Sequence, residues 1–229
     1  MKKIINKIFD RKSPPVLIAE ISANHNGSIN NAKKLIHTAK KNGADIVKLQ
    51  TYEPRNMTIN SNKKDFLVNE GLWKGYNLWN LYKEAQTPLS WQKKLFDYSK
   101  KIGIPCFSTP YDDEGVDVLK KINANMYKIS SFEMKDINLV KKVCKTKKPV
   151  IISTGLASLK EINNVYKIAK SSGCKKLVLL YCVSSYPARN EDFNLNNISI
   201  LKKKFNCEIG FSDHSIDNSV AMLAVSKGA

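Results

Sequence analysis

The stretch NNAKKLIHTAKKNGADIVKLQTY, residues 30–52, decides the fold because it contains one helix pattern followed directly by one strand pattern. In residues 30–43 the apolar side chains recur with the 3.6-residue period of an amphipathic helix, and Gly43 stands where a helix commonly ends. Residues 46–52 then form a short apolar run that ends in polar side chains. A helix followed at once by a buried strand is the repeating unit of parallel α/β sheets.

The same unit recurs along the chain. Seven short apolar runs alternate with helix-period stretches, and they lie at residues 16–22, 46–52, 104–110, 126–131, 149–155, 176–184 and 208–214. This alternation predicts a parallel sheet with helices outside it, as either an open doubly wound sheet or a closed eight-stranded barrel.

Two features favour the barrel. The stretch after the first strand, AEISANHNGSINNA, has one glycine where a dinucleotide-binding fold has three. Polar side chains follow every strand, as in barrel enzymes, whose chemistry lies at the C-terminal ends of the strands. We therefore predict an α/β fold of the (β/α)8 TIM barrel class in residues 16–229, preceded by an N-terminal extension, residues 1–15.

A complete barrel has eight strands and about 250 residues. Seven strands over 229 residues predict an incomplete barrel, with about seven of eight βα units present. The first and seventh strands would then be unpaired edges, which another element should cover.

Composition narrows the class of partner. The formal charge is +18, but the lysines are spread over apparent helix faces and only Arg11, Arg55 and Arg189 are arginines. Nucleic-acid recognition is therefore disfavoured. No stretch approaches the length of about 20 apolar residues that a membrane helix needs. Five widely spaced cysteines without a Cys-x-x-Cys pair indicate a reducing compartment, so we expect a cytoplasmic protein.

Two lysines lie inside predicted strands, Lys48 and Lys128, where a charge is costly unless it is paired or hydrated. Two ammonium groups at the mouth of a barrel indicate an anionic ligand, and hydroxyls that would complete its site come from Thr109, Ser131, Ser153 and Ser212. Two alternatives stay open. Each lysine pairs with a barrel carboxylate such as Glu20, or one lysine forms a Schiff base with a carbonyl substrate.

His214 follows the seventh strand, beside Asp213. It is a candidate metal ligand, general base or hydrogen-bonded turn residue, and a metal site needs several ligands. His25, in the loop after the first strand, is a candidate partner.

The segment from Glu53 to Pro88 is the longest interruption of the repeat. Its aromatic residues Tyr76, Trp79 and Tyr82 are spaced by three, which predicts an amphipathic helix packed on the barrel. The other reading is a lid over the site, since long loops at this face often close on a substrate.

Several motifs together resemble one family. The segments IAEISANHNGSINNAKKLIHTAKKNGADIVKLQTY, CFSTPYD, YKISSFE, VIISTGLAS, CVSSYPA and GFSDHS resemble the sialic acid (N-acetylneuraminate) synthase family, which condenses phosphoenolpyruvate with an N-acylated sugar. The segments DFLVNEGLW and LYKEAQTPLSWQKKLF are most like the pseudaminic acid branch of the family, which acts on 2,4-diacetamido-2,4,6-trideoxy-altrose. The resemblance covers nearly all of the chain after residue 15.

The resemblance implies a role for each site residue. The positions that match the phosphoenolpyruvate contacts of the family are Lys48, Thr109, Lys128, Ser131, Ser153 and Ser212. Gln50, Ser184 and Tyr186 match positions that face the sugar, and Glu20 matches an acid–base candidate, so Glu20, Lys48 and Lys128 form the expected catalytic set. His214 matches a ligand of a divalent metal, Mn or Mg.

The resemblance also implies what lies outside these residues. The family has an eighth strand with a second metal-binding histidine, and a C-terminal antifreeze-like domain that completes the site in a swapped homodimer. We expect both to be absent from this chain. The alternative function is therefore a catalytically inactive barrel remnant that binds a ligand or partner without turnover.

Overall fold

A computed structural model describes residues 2–10 and 12–229 of the chain. The structure divides into two compact units, Val16–Ala124 and Asn125–Ala229, and the residues before Val16 are shared between them. The described residues contain the seven predicted strands, which are β1 (Ile18–Glu20), β2 (Ile46–Thr51), β3 (Cys106–Pro110), β4 (Tyr127–Ile129), β5 (Val150–Ser153), β6 (Leu177–Cys182) and β7 (Glu208–Ser212). The predicted strand order is confirmed, and each of the seven strands is shorter than the apolar run that predicted it.

Helices separate the strands, as the periodicity predicted. Their bounds are α1 (Lys2–Lys7), α2 (Ile29–Lys41), α3 (Pro54–Met57), α4 (Leu78–Ala85), α5 (Leu89–Ile102), α6 (Asp113–Lys121), α7 (Ile137–Cys144), α8 (Leu159–Ser171), α9 (Asn196–Lys204) and α10 (Asn218–Ser226). Side-chain caps set several of these starts. Ser158, for example, forms a capping box with Glu161 at the start of α8. Within the part of the chain that is described, no helix is long and apolar enough to cross a membrane.

In the first unit, β1, β2 and β3 are parallel, with Glu20 opposite Lys48 and Gln50 opposite Thr109. Because side chains alternate along a strand, Val47 and Leu49 point the other way. They join a buried cluster with residues of α2 and α5, among them Ile36 and Leu95. This alternation leaves Glu20, Lys48, Gln50 and Thr109 on the sheet face away from those helices.

In the second unit, β4 to β7 are parallel, and the register aligns Ser153 with Leu180 and Cys182 with Ser212. The same register places Lys128 on the face that carries Ser153, Cys182 and Ser212. Gly210 lies opposite Leu180, and a Cβ there would come within 2.7 Å of the Leu180 side chain. The larger side chain of β6 thus occupies the space that this glycine leaves.

Part of the N-terminal extension packs into the second unit. Ile5 is buried, and Lys176, just before β6, donates a 2.7 Å hydrogen bond to Asn6 Oδ1. The same ammonium lies 5.2 Å from the ring centroid of Phe9. Asn6 and Phe9 of the N-terminal extension thus contact Lys176, the residue just before β6.

The long segment after β2 is mostly irregular. It contains α3, two one-turn 3₁₀ helices (Lys64–Phe66 and Gly71–Trp73) and α4. Tyr82 of α4 packs edge-on against buried Tyr52, with ring centroids 6.0 Å apart, which agrees with the packing interpretation. The predicted helix is too long at its start, because α4 begins after Tyr76, which is exposed. Asn77 caps α4 by accepting from the Trp79 and Asn80 amides, and this turn breaks the apparent period.

We expect Leu95→Ala to lower the free energy of unfolding by about 2–5 kcal/mol, because it leaves a cavity in the cluster between α2, α5 and the first sheet. Urea unfolding followed by circular dichroism measures this loss. Lys94→Ala, on the exposed side of the same helix, is the matched control and should stay within about 0.5 kcal/mol of the parent. Equal effects of the two substitutions would contradict this assignment of the core.

Candidate active site

The first group of site residues surrounds the ammonium of Lys48, which is 7% exposed. Lys48 forms an ion pair with Glu20, and its Nζ lies 3.4 Å from Thr109 Oγ1. The three side chains come from β1, β2 and β3 and share one sheet face. The structure thus brings Glu20, Lys48 and Thr109 together, and the alternative of a lysine–carboxylate pair is confirmed for Lys48.

Gln50 lies two residues beyond Lys48 on the same face. Its backbone carbonyl accepts a 2.7 Å hydrogen bond from Nε2 of Gln92, a fully buried side chain of α5. This bond ties the end of β2 to the helix behind it. Gln92 is therefore a support for β2, which the sequence analysis did not single out because one buried amide has no recognisable pattern.

His25 is buried, and both of its ring nitrogens are used within the first unit. Nδ1 accepts a 3.2 Å hydrogen bond from the Gly27 amide, and Nε2 lies 3.2 Å from Thr87 Oγ1. Since Nδ1 is an acceptor, the neutral ring carries its proton on Nε2 and donates it to Thr87. Burial lowers the pKa of His25, which favours the neutral ring. This arrangement does not support the reading of His25 as a metal ligand.

The second group lies in the second unit around Lys128 and Ser131. Burial lowers the pKa of Lys128, while the nearby Cys182 thiol acts in the opposite direction. Ser131 Oγ lies 3.3 Å from Cys182 Sγ and accepts a 3.2 Å hydrogen bond from the Gly155 amide. The Ser153 hydroxyl is buried and has no hydrogen-bond partner among the residues that the structure describes. A buried hydroxyl of this kind is available to a ligand.

Gly155 allows the strand ends of this unit to pack closely. A Cβ at this position would lie 2.6 Å from Ser184 Oγ and 2.7 Å from Cys182 Sγ. Any larger residue would push these groups away and disturb the contact between Cys182 and Ser131. Cys182 is not among the site residues that the motifs predict. Cys182 ends β6 and lies two residues before Ser184, and this position in the sequence could have indicated that it belongs to the site.

His214 is oriented by the end of β6. Its Nδ1 lies 2.7 Å from the Val183 carbonyl oxygen, which can only accept, so Nδ1 carries a proton. In the neutral ring Nε2 then keeps its lone pair, and Ser212 Oγ lies 3.5 Å from it. The Tyr186 ring packs against the imidazole, with centroids 4.3 Å apart. Tyr186 and Ser212 are thus both brought to His214.

A histidine whose Nδ1 donates to a carbonyl is in the form that commonly binds a metal through Nε2. His214 fits one ligand position of a divalent ion. Within the ranges 2–10 and 12–229, however, no group of three or more His, Cys, Asp or Glu side chains converges. The described residues thus supply one oriented ligand and not a complete metal site.

Glu133 is a second residue that the sequence analysis missed. It starts the one-turn 3₁₀ helix Glu133–Lys135 after β4, and its Oε2 is buried with no hydrogen-bond partner among the described residues. Burial is the main cause that raises its pKa, and nearby Asp136 also contributes. A carboxyl group with a raised pKa at a strand end is a candidate proton carrier. Its position in YKISSFE, two residues after Ser131, was the available signal.

Comparison with known proteins identifies the family of the chain. The profile of the NeuB family matches residues 35–229. The chain belongs to the NeuB family. It is 45% identical to the pseudaminic acid synthase of Campylobacter jejuni serotype O:2, over 96% of this chain and 64% of that protein. It is 41% identical to the pseudaminic acid synthase of Helicobacter pylori, over 94% of this chain and 64% of that protein.

The resemblance inferred from the motifs is therefore confirmed. The chain spans 64% of the length of these curated relatives. It is also 34% identical to the N,N'-diacetyllegionaminic acid synthase of Campylobacter jejuni, over 93% of this chain and 65% of that protein. The relatives are thus named for more than one sugar acid, and the identity is higher to the two pseudaminic acid synthases.

Solved structures confirm the predicted fold class. The N-acetylneuraminic acid synthetase of Leptospira borgpetersenii matches with a TM-score of 0.85 and 34% identity, over 95% of this chain and 71% of that chain. A 3-deoxy-D-arabino-heptulosonate 7-phosphate synthase of Thermotoga maritima matches in fold alone, with a TM-score of 0.69 and 13% identity. The fold is an incomplete (β/α)8 barrel with seven βα units in the described chain.

We expect Gly155→Ala to lower the free energy of unfolding by about 1–3 kcal/mol, because the methyl group overlaps Cys182 and Ser184. Thermal and urea unfolding measure the loss. Adding Cys182→Ala should recover part of it, because that substitution removes one of the two overlapping side chains. Strictly additive effects of the two substitutions would contradict the close contact.

We expect the protein to lose stability as the pH falls below about 6.5, the ordinary pKa of histidine. Burial disfavours the charged His25 ring in the folded state, so below this pH the unfolded chain takes up a proton that the folded chain resists. Above about 6.5 the ring is neutral in both states and contributes no pH dependence. Urea unfolding at about pH 7.5 and about pH 5.5 measures the difference.

The controls for this pH dependence are single histidine substitutions. His25→Asn should flatten the change, whereas His37→Asn, on the exposed face of α2, should leave it as in the parent. The same slope in His25→Asn as in the parent would show that another group causes the effect.

Proposed function

We propose that the protein carrying this chain is a nonulosonic acid synthase, which condenses phosphoenolpyruvate with an N-acetylated amino sugar and releases phosphate. The observation that carries the proposal is the buried ammonium of Lys48, held between Glu20 and Thr109 on one sheet face of a NeuB family fold. Such a group binds an anionic substrate and keeps a carboxylate beside it.

We assign the contacts to phosphoenolpyruvate within each unit. In the first unit Lys48 and Thr109 are the contacts, and in the second they are Lys128, Ser131, Ser153 and Ser212. Ammonium groups and hydroxyl donors suit the phosphate and carboxylate of this substrate. The unpartnered hydroxyl of Ser153 supports this assignment. We assign Gln50, Ser184 and Tyr186 to the sugar.

The reaction needs one nucleophilic carbon and one added water. C3 of phosphoenolpyruvate forms a bond to the aldehyde carbon of the open-chain sugar, and the aldehyde oxygen takes up a proton. Water adds to C2, and the resulting tetrahedral intermediate loses phosphate by cleavage of the C2–O bond. We propose that Glu20 accepts the proton of this water and that Lys48 and Lys128 stabilise the negative charges. The route has no Schiff base.

We also propose that His214 is one ligand of a divalent metal, Mn or Mg. The support is its tautomer, which leaves the Nε2 lone pair toward Ser212. When bound, such an ion supplies a Lewis acid that polarises the sugar aldehyde. His214 itself is held by the Val183 carbonyl and by the Tyr186 ring, which limit its rotation.

The substrate within the class follows from the relatives. Identities of 45% and 41% to pseudaminic acid synthases support 2,4-diacetamido-2,4,6-trideoxy-altrose as the sugar. We further propose that the full-length form is a cytoplasmic homodimer, an expectation that stands on the family resemblance and on the cysteine pattern. Sedimentation velocity of the purified protein tests the dimer.

The defining experiment is phosphate release from phosphoenolpyruvate, measured with and without the altrose derivative. We expect release only when both substrates and Mn or Mg are present, and we expect excess chelator to abolish it until metal is restored. Release without the sugar would contradict the proposal. Binding of phosphoenolpyruvate without turnover at high metal concentration would favour the inactive remnant.

We expect Lys128→Met to weaken phosphoenolpyruvate binding by about tenfold to a hundredfold, because the ammonium that meets its negative charge is lost. Isothermal titration calorimetry with phosphoenolpyruvate alone measures this change without turnover. Lys160→Met, at an exposed site in the first turn of α8, is the matched control and should bind as the parent does. Equal affinities of Lys128→Met and the parent would remove Lys128 from the proposed site.

A further inference from the structure

The carboxylate of Glu20 is held from two sides in the first unit. One oxygen pairs with Lys48, and the other accepts a 2.9 Å hydrogen bond from the Ser22 amide. Lys48 is fixed within β2, whose neighbouring residues Val47 and Leu49 are buried. The Ser22 amide instead belongs to the loop between β1 and α2, so the position of the carboxylate depends on that loop.

The backbone of this loop has two non-glycine residues with positive φ. Ser22 and Asn26 both have φ of 47°, in the left-handed region, which asparagine adopts readily and serine rarely. Such conformations persist only where the surrounding structure enforces them. The hydrogen bonds within the loop are short-range turns, such as Asn24 to Ile21 and Asn26 to Ala23. The Ile21 amide donates to the Lys48 carbonyl and ties the start of the loop to β2, so a second restraint is needed only farther along the loop.

His25 provides that restraint. Its side chain is 1% exposed and accepts from the Gly27 amide on one side of the ring, while Nε2 donates to Thr87 on the other. Thr87 is also buried and lies between α4 and α5, where the long segment after β2 ends. Trp91 of α5 packs edge-on against the imidazole, with centroids 5.6 Å apart.

We propose that His25 is a positioning residue for Glu20, which ties the β1–α2 loop to Thr87 so that the Ser22 amide holds the carboxylate beside Lys48. The catalytic consequence of this inference rests on the proposed function, in which Glu20 accepts the proton of the attacking water. His25 would act only through Glu20. It also links the segment before α5 to this loop, so movement of Thr87 would alter the placement of Glu20.

Thr87→Val tests the link, since valine keeps the shape of threonine and removes the oxygen that accepts from His25. Thr87→Ser keeps the oxygen, and Thr38→Val, at an exposed site on α2, is the matched control. Amide hydrogen exchange followed by NMR measures how well the amides of the loop are protected. In Thr87→Val we expect exchange at Ser22 and Gly27 to accelerate about fivefold to tenfold, with Thr87→Ser and Thr38→Val close to the parent.

Steady-state kinetics of the same variants measures the effect of the link on catalysis. We expect kcat of Thr87→Val to fall roughly tenfold to a hundredfold, because a displaced acid–base group is no longer aligned with the attacking water. The KM for phosphoenolpyruvate should stay within about twofold of the parent, because Lys48 and Thr109 are retained. Thr87→Ser should restore kcat. A general loss of structure would change both constants and would not be rescued by serine.

The outcomes separate the two proposals. Unchanged exchange at Ser22 in Thr87→Val overturns the positioning role whatever the activity is, and faster exchange with unchanged kcat overturns it as well. A parent protein without turnover means that the proposed function has failed, and the exchange data alone then decide whether His25 holds the loop. If Thr87→Val does not fold, His25→Asn replaces it, with His37→Asn as control. Asparagine reaches the Gly27 amide but not Thr87, so we expect faster exchange at Ser22 with Gly27 protected.

Discussion

The first unit depends on the ion pair between Lys48 and Glu20. An ammonium group in the middle of a buried strand costs several kcal/mol unless a carboxylate compensates it, and Glu20 lies directly opposite in the register. A shift of β1 by one residue would turn Glu20 to the other face and leave Lys48 uncompensated. The pair therefore fixes the register of a strand that has only three residues. The pair also depends on the loop that follows Glu20, because the Ser22 amide of this loop binds the Glu20 carboxylate.

The second unit also contains a lysine inside a strand, Lys128, in different surroundings. Lys128 lies near the Cys182 thiol, which contacts the Ser131 hydroxyl, and burial lowers the pKa of Lys128. Cys182 and Ser184 can pack against the end of β5 because Gly155 has no side chain to separate them from it. Lys48 is thus compensated by a carboxylate, whereas burial acts against the charge of Lys128. Lys48 and Lys128, each within its own unit, thus have different electrostatic surroundings.

The long segment after β2 connects these local features to the helices. Tyr82 anchors α4 on Tyr52, Asn56 donates a 2.6 Å hydrogen bond to Asp112 at the start of α6, and Thr87 meets His25. Trp73 and Tyr76, in contrast, are exposed. The segment is therefore bound to the first unit at several points along its length, and its central part carries aromatic side chains at the surface.

The sequence by itself determined the strand and helix order, the fold class and the family. Apolar runs and helical periods are local patterns, and the polar residues that follow each strand share one end of a parallel sheet by construction. It also identified Lys48 and Lys128 as needing an explanation, since a charge inside a strand is visible without a structure. Only the tertiary structure decided that Lys48 pairs with Glu20 and that His25 binds Thr87 rather than serving as a ligand. It also decided that the Glu133 carboxyl is buried and that Cys182 contacts Ser131. These contacts join residues from separate elements or depend on burial and ring tautomer, and none of these properties is encoded in the spacing of residues along the chain.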